Sequence, residues 1–195
     1  MKNGRLSSES RIEVFLALGS NLGDREANLR EAVAQIARLV LEINRKSSIY
    51  ETEPVGFADQ RWFLNQVISA DLPAILSLND DRVVGRATSF LTKLHEIETE
   101  MGRERHIANG PRTIDIDLLL FGDAIIGYSR DDTTQTLVEA RIVVPHPRMH
   151  ERRFVLEPLC EIAPEVVHPV LNKTCKQMLA SLQDDSVVRR YAENE

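Results

Sequence analysis

An α+β fold, with helices packed on a mostly antiparallel sheet, is what this sequence predicts, and three observations carry it. Residues 12–18, IEVFLAL, are apolar and partly β-branched and stop at Gly19-Ser20-Asn21, as a buried strand does. Leu29, Val33, Ile36 and Val40 then recur at near-helical spacing, so a helix follows that strand across a polar turn. Residues 113–122, TIDIDLLLFG, form the clearest strand in the chain. With 195 residues, 43% hydrophobic and 28% charged, the chain can bury one substantial core, which excludes a disordered polymer.

The opening MKNGRLSSESR lacks the apolar core of a secretory signal, so residues 1–11 read as a disordered leader and 12–195 as a single domain. Asp24 is placed to cap the first helix. Residues 43–50 lead to Tyr50, and ETEPVGFADQRW reads as a loop broken by Pro54 and Gly56. FLNQVISADL, residues 63–72, reads as a strand with imperfect alternation. A second helix is predicted over 86–101, with Phe90, Leu94, Ile97 and Met101 on its inner side and Gly102 ending it. The preceding SLNDDRVVG reads as an extra loop, and polar residues 127–136 as a second excursion. RIVVPHP reads as a short strand ended by prolines, while FVLEPLCEIAP and residues 174–190 suggest further helical pieces. This order, strand–helix–strand then helix–strand, resembles a ferredoxin-like core arranged as an α/β/α sandwich.

A net charge of -6 argues against wholesale attraction to nucleic acid or anionic lipid. No window approaches the ~20 apolar residues that cross a bilayer. Cys160 and Cys175 match no metal-ligand spacing, and a reducing, cytoplasmic setting is the simpler reading, with a disulfide between them left open.

The acid pair of Ile114-Asp115-Ile116-Asp117-Leu118 carries the most chemistry. Residues two apart on a strand share a face, so the carboxylates project together while Ile114, Ile116 and Leu118 enter the core. Paired carboxylates repel unless cations neutralise them, and Mg²⁺ with phosphate oxygens suits such a pair. An isolated pair of this kind is more often a solvated strand face. Here Arg103, Arg105, His106 and Arg112 lie just upstream on a loop bent by Gly110 and Pro111, where arginines could clamp phosphate oxygens. Glu98, Glu100 and Glu104 could equally neutralise part of that run. His146 between two prolines, with Arg148, Arg152 and Arg153 following, forms a second basic cluster. GSNLGD matches neither dinucleotide nor Walker patterns and reads as a tight turn, with Ser20 or Asn21 as candidate ligand contacts.

GSNLGD, YETEPVG followed by FLNQV, E-x-x-x-G-R-x-R, GPRTIDIDLLLFG and VPHPRMHERRFVLEPLCEIAP occur in that order. Together they make the chain, from about Ile12 to about Val170, resemble the 6-hydroxymethyl-7,8-dihydropterin pyrophosphokinase family. The resemblance implies transfer of diphosphate from ATP, as co-substrate, to a pterin hydroxymethyl group in folate biosynthesis, with release of AMP. It implies that Asp115 and Asp117 bind two Mg²⁺ ions. It also implies that Arg112 clamps phosphate and that Arg103 and Arg105 ride a mobile catalytic loop. His95 and Glu98 fall near the nucleotide ribose, with Arg141, His146 and Arg152 as further ATP contacts. Phe63 and Phe154 sandwich the pterin, whose edge is read by Thr52, Asn65 and the chain at Pro54 and Val55. Its expected partners are these two small molecules and candidate neighbouring folate-pathway enzymes, with neither nucleic acid nor membrane.

This sequence departs from compact members in having Ala108-Asn109 where an Arg-Trp pair is usual and Phe63 where Tyr is frequent. It also carries insertions near 73–87 and 127–138. Two other readings stay open: a metal-dependent phosphoesterase using the same acids, and a non-catalytic ferredoxin-like binding module.

Overall fold

The apolar run at the start of the domain becomes β1 (Arg11–Ser20), and the polar turn after it delivers α1 (Arg25–Ile36). The Asp24 carboxylate accepts the Ala27 N–H at 3.0 Å, the expected N-cap. There follow β2 (Glu42–Lys46), β3 (Tyr50–Thr52), β4 (Phe63–Pro73), α2 (Asp80–Glu100) and β5 (Asp115–Phe121). A 3₁₀ turn (Met149–Glu151), α3 (Arg153–Ile162), the hairpin strands β6 (Val167–His168) and β7 (Lys173–Thr174), α4 (Cys175–Ala180) and β8 (Val188–Arg190) complete the order. This computed structural model describes residues 11–54, 59–73, 80–103, 110–128 and 142–192.

The main sheet runs β5-β1-β4-β3-β8, and every pairing in it is antiparallel. Because β1 takes the whole of one edge of β4, β2 and β3 share the other edge end to end, β2 against residues 68–71 and β3 against 63–65. Counting β2 and β3 as one broken strand, the topology is that of a ferredoxin-like core, as predicted.

Period-2 alternation divides the interior in two. Val14, Leu16 and Leu18 of β1 face α1 and α2 with Leu64, Ile68, Ile116 and Phe90, whereas Phe15 and Val67 face α3 and α4 with Leu119, Leu156 and Met178. On β5 the register slips by one residue between Leu118 and Leu120, so Leu119 is an extra, bulged residue without a β1 partner. Leu119 and Leu120 consequently both join the α3 side while Phe121 returns to the α1–α2 side.

Several predicted boundaries change. Tyr50–Thr52 is a strand and not part of a loop, because Glu51 and its neighbours are paired on both sides by β4 and β8. The residues read as loop from Asp80 to Gly85 belong to α2, whose polar first turns disguise its periodicity. RIVVPHP is no strand over its described part: Val144 makes one isolated bridge with Ile126 before Pro145 removes the next donor. Within 174–190 only Cys175–Ala180 is helical, and Val188–Arg190 instead adds a strand to β3. Gly102, at φ 79°, does end α2 as expected. Of the leader read over 1–11, Arg11 instead opens β1, paired with Pro73, while residues 1–10 and most of the 127–138 insertion lie outside the described residues.

Candidate active site

Asp115 and Asp117 project from the start of β5, with Ile114, Ile116 and Leu118 buried on the opposite side. Each carboxylate has its own cations. Asp115 Oδ1 lies 2.6 Å from Arg103 Nη2, and its Oδ2 is 2.5 Å from Arg112 Nη1. Asp117 Oδ2 sits 3.6 Å from Arg152 Nη1 and 3.9 Å from His146 Nε2. Burial, reinforced by the charge of Asp115, pushes the Asp117 carboxyl up to about 6 despite the pull of Arg152, Arg103 and Arg112. Two acids two residues apart are held here against their own repulsion.

The supports of this cluster follow from local sequence. Glu98, near the end of α2, is buried; it accepts the Ile116 N–H at 2.7 Å and pairs with Arg103. It therefore fixes both the strand and the arginine that reaches Asp115. Burial raises its carboxyl above the usual range. Arg112 is aimed by its own backbone, whose N–H donates to Asn21 Oδ1 at 2.7 Å, while its carbonyl accepts from Asn21 and Leu22. Ser20 and Asn21 are fully buried, so GSNLGD acts here as a clasp for the arginine loop. His146 Nδ1 accepts the Arg148 N–H at 3.2 Å, which leaves the proton of the neutral ring on Nε2, toward Asp117. Burial and the charges of Arg152 and Arg148 push this imidazole down to about 4, so it is neutral at ordinary pH.

A second, uncharged region adjoins the first across the sheet. Gly19 is in register with Asn65 on β4 and with Asp115 on β5, so the three share one face. A Cβ on Gly19 would stand 2.7 Å from Asn65 Oδ1 and 3.8 Å from the Phe63 ring, so glycine keeps a shallow floor open there. The Asn65 amide donates to Thr52 Oγ1 at 2.7 Å, and both side chains are buried. The Arg112 guanidinium lies 5.5 Å from the Phe63 ring centroid, and that of Arg152 lies 5.5 Å from Phe154. Each arginine therefore joins one acid to one aromatic ring.

Of the residues singled out from sequence, Arg103, Arg112, Asp115, Asp117, His146 and Arg152 come together as one charged cluster, with Glu98 beneath it. Thr52, Phe63 and Asn65 gather beside it, Phe154 follows on α3, and Pro54 continues the chain from β3. His95 sits exposed on α2, one turn before Glu98. Val55, Arg105 and Arg141, like the basic-loop residues Glu104 and His106, lie outside the described residues. Sequence reasoning missed the open floor at Gly19, whose only signal was a glycine ending a strand. It also missed the Arg25, Glu51 and Arg189 ion-pair cluster behind the sheet.

Fold and site define a ferredoxin-like α+β domain with an acid–arginine cluster beside a neutral, aromatic-edged floor. The model of the 7,8-dihydro-6-hydroxymethylpterin-pyrophosphokinase (HPPK) family matches residues 15–164, and the chain belongs to this family. It is 41% identical over 153 residues to the 2-amino-4-hydroxy-6-hydroxymethyldihydropteridine pyrophosphokinase of Bacillus subtilis, covering 78% of each chain. To the enzyme of the same name from Aquifex aeolicus it is 36% identical over 164 residues, covering 84% of this chain and 88% of that one. Among solved structures, the Plasmodium falciparum HPPK-DHPS wild type with STZ-DHP shares the fold, with a TM-score of 0.58 at 16% identity over 89% of this chain. The likeness spans 42% of that longer chain.

Proposed function

We propose that this chain transfers the terminal diphosphate of ATP to the hydroxymethyl group of 6-hydroxymethyl-7,8-dihydropterin, releasing AMP, in folate biosynthesis. Family membership supports the reaction. The single observation that carries the site is the adjacency of a charged and an uncharged half: Asp115 and Asp117 among arginines on one side, Phe63, Asn65 and Thr52 on the other.

In this reading the hydroxymethyl oxygen attacks the β-phosphorus and the bond to the AMP oxygen breaks, so charge must be neutralised along the whole triphosphate. Arg103, Arg112 and Arg152 supply fixed cations, and the neutral His146 donates from Nε2. Arg105 and Arg141 are proposed to add to them. Glu98 orients Arg103, and His95 stands at the nucleotide end. Phe63 and Phe154 stack on the pterin while the Thr52–Asn65 pair and the chain at Pro54 and Val55 read its edge, which restricts the alcohol to an in-line approach.

Asp115 and Asp117 fit a hard, oxygen-seeking divalent ion, and we assign them two Mg²⁺ ions. When bound, such ions supply Lewis-acid neutralisation of phosphate charge. We extend the domain over residues 12–195. The HPPK-DHPS name of the Plasmodium falciparum chain supports a folate-pathway enzyme as protein partner.

A coupled assay for AMP tests the reading. AMP formed only when ATP, Mg²⁺ and the reduced pterin are all present supports transfer. Nucleotide cleavage by water without pterin supports a phosphoesterase, and no turnover supports a binding module; either would overturn it.

A further inference from the structure

Behind the uncharged half-site lies a charged cluster that none of these roles uses. Glu51 stands between Tyr50 and Thr52 on β3, so its side chain leaves the opposite face of the sheet and meets the start of α1. Its Oε1 accepts from Arg25 Nη1 at 3.0 Å, and the same Nη1 donates to the Trp62 carbonyl at 2.7 Å. Its Oε2 accepts from Arg189 of β8, Nε at 3.2 Å and Nη2 at 2.6 Å. The Arg189 guanidinium also lies 5.0 Å from the Trp62 ring centroid. One carboxylate thus holds two arginines, one gripping Trp62 by its carbonyl and the other covering its ring, and the next residue is Phe63.

The same cluster ties down β3. Thr52 pairs with Phe63 on one side and Val188 on the other, and the Val187 N–H donates to Glu53 Oε1 at 2.8 Å. Arg25 is buried. Although burial works against ionisation of Glu51, hydrogen bonds from Arg189 and Arg25 outweigh it and hold the carboxyl below its usual range. Lysine could not replace Arg189, because a point charge cannot both stack on an indole and fork onto a carboxylate. Arg189 lies beyond residues 15–164 that match the family model, so the outer half of the cluster comes from the C-terminal strand.

We propose that Arg25, Glu51 and Arg189 are positioning residues for the flat-ring half-site, setting the pitch of Phe63 through Trp62 and the seat of Thr52 through β3. They govern affinity for the pterin and leave nucleotide affinity alone. The proposal rests on the pterin reading of that half-site. None of the three belongs to the acid–arginine cluster on β5.

Calorimetry on the full chain tests it, with 6-hydroxymethyl-7,8-dihydropterin and a non-hydrolysable ATP analogue plus Mg²⁺ as separate probes. Trp62 is the one tryptophan of the sequence, so its emission reports the cluster directly. Arg189→Ala is expected to shift that emission and to weaken pterin about five- to tenfold, on the order of one exposed cation–π contact plus a fork. ATP-analogue affinity stays within about twofold, and Arg189→Lys recovers part of the loss because only the ion pair returns. Glu51→Gln moves in the same direction. Arg189 is largely exposed, so its variant keeps the test decisive if Glu51→Gln fails to fold. Pterin affinity unchanged in Arg189→Ala overturns the proposal, and so does an equal loss for both probes, the sign of general loosening. Absence of pterin binding by the unaltered chain overturns the functional reading itself, and this inference with it.

Discussion

The two halves of the site solve opposite physical problems. At the β5 end, two carboxylates and three arginines crowd together, and Asp117 is pushed up to about 6 by burial and its neighbour. At the β4 end the groups are neutral, buried and already paired, Asn65 to Thr52. In the proposed function the first half is completed by ligands, and the second presents a finished surface. Variants on the two sides should therefore fail differently.

The largest effect is expected from Asp115→Ala, which removes the carboxylate shared by Arg103 and Arg112. Loss of a metal-binding clamp is worth several kcal/mol of transition-state stabilisation, so kcat should fall by roughly a thousandfold in the AMP assay while pterin binding survives. A kcat near that of the unaltered chain would remove Asp115 from the chemistry. Phe63→Ala should do the converse. Base stacking is worth about 1–3 kcal/mol, so pterin Kd should rise roughly 5- to 150-fold in calorimetry with nucleotide binding retained. Unchanged pterin affinity would take Phe63 out of the half-site.

Gly19→Ala probes the boundary between the halves. Its new Cβ would meet Asn65 Oδ1 at 2.7 Å, forcing the amide away from Thr52. Disturbing a buried hydrogen bond costs about 1–2 kcal/mol, so pterin binding should weaken roughly tenfold, again without loss of nucleotide affinity. Equal losses for both ligands would merge the two halves into one unit.

The smallest effect concerns stability. In the folded chain Asp117 keeps its proton from its ordinary 3.8 up to about 6, where the unfolded chain has lost it. Folding is therefore favoured at the acid end of that window, and stability falls as pH rises through it. Asp117→Asn should remove this fall and stabilise the metal-free protein at pH above ~7 by on the order of 1 kcal/mol, after allowing for solvent at a carboxyl that is 34% exposed. Thermal midpoints across that pH range, with and without the substitution, check it. Parallel curves would show that the acid pair is not frustrated.

What could be read from sequence divides along similar lines. The common face of Asp115 and Asp117 follows from a period of two, and the Asp24 cap and the inner stripe of α2 from local rules. β2 escaped notice because four of the five residues in EINRK are exposed and show no alternation. The start of α2 was hidden by Asp80, Asp81 and Arg82, and β8 by its short length. The Glu51 cluster was out of reach altogether: its partners stand 26 and 138 residues away, and three surface-type charges have no local pattern.

The bulge at Leu119 has a wider consequence. Its carbonyl accepts the His146 N–H at 2.9 Å, so the spare residue of β5 is also the peg on which the proline-flanked turn hangs. One added amino acid thus splits a strand into a reactive front and a greasy rear while hooking a distant histidine onto the seam. Excising it would leave Phe121 opposite Val14 and both aspartates where they stand, yet strip one leucine from the α3 side and unmoor that imidazole in a single stroke.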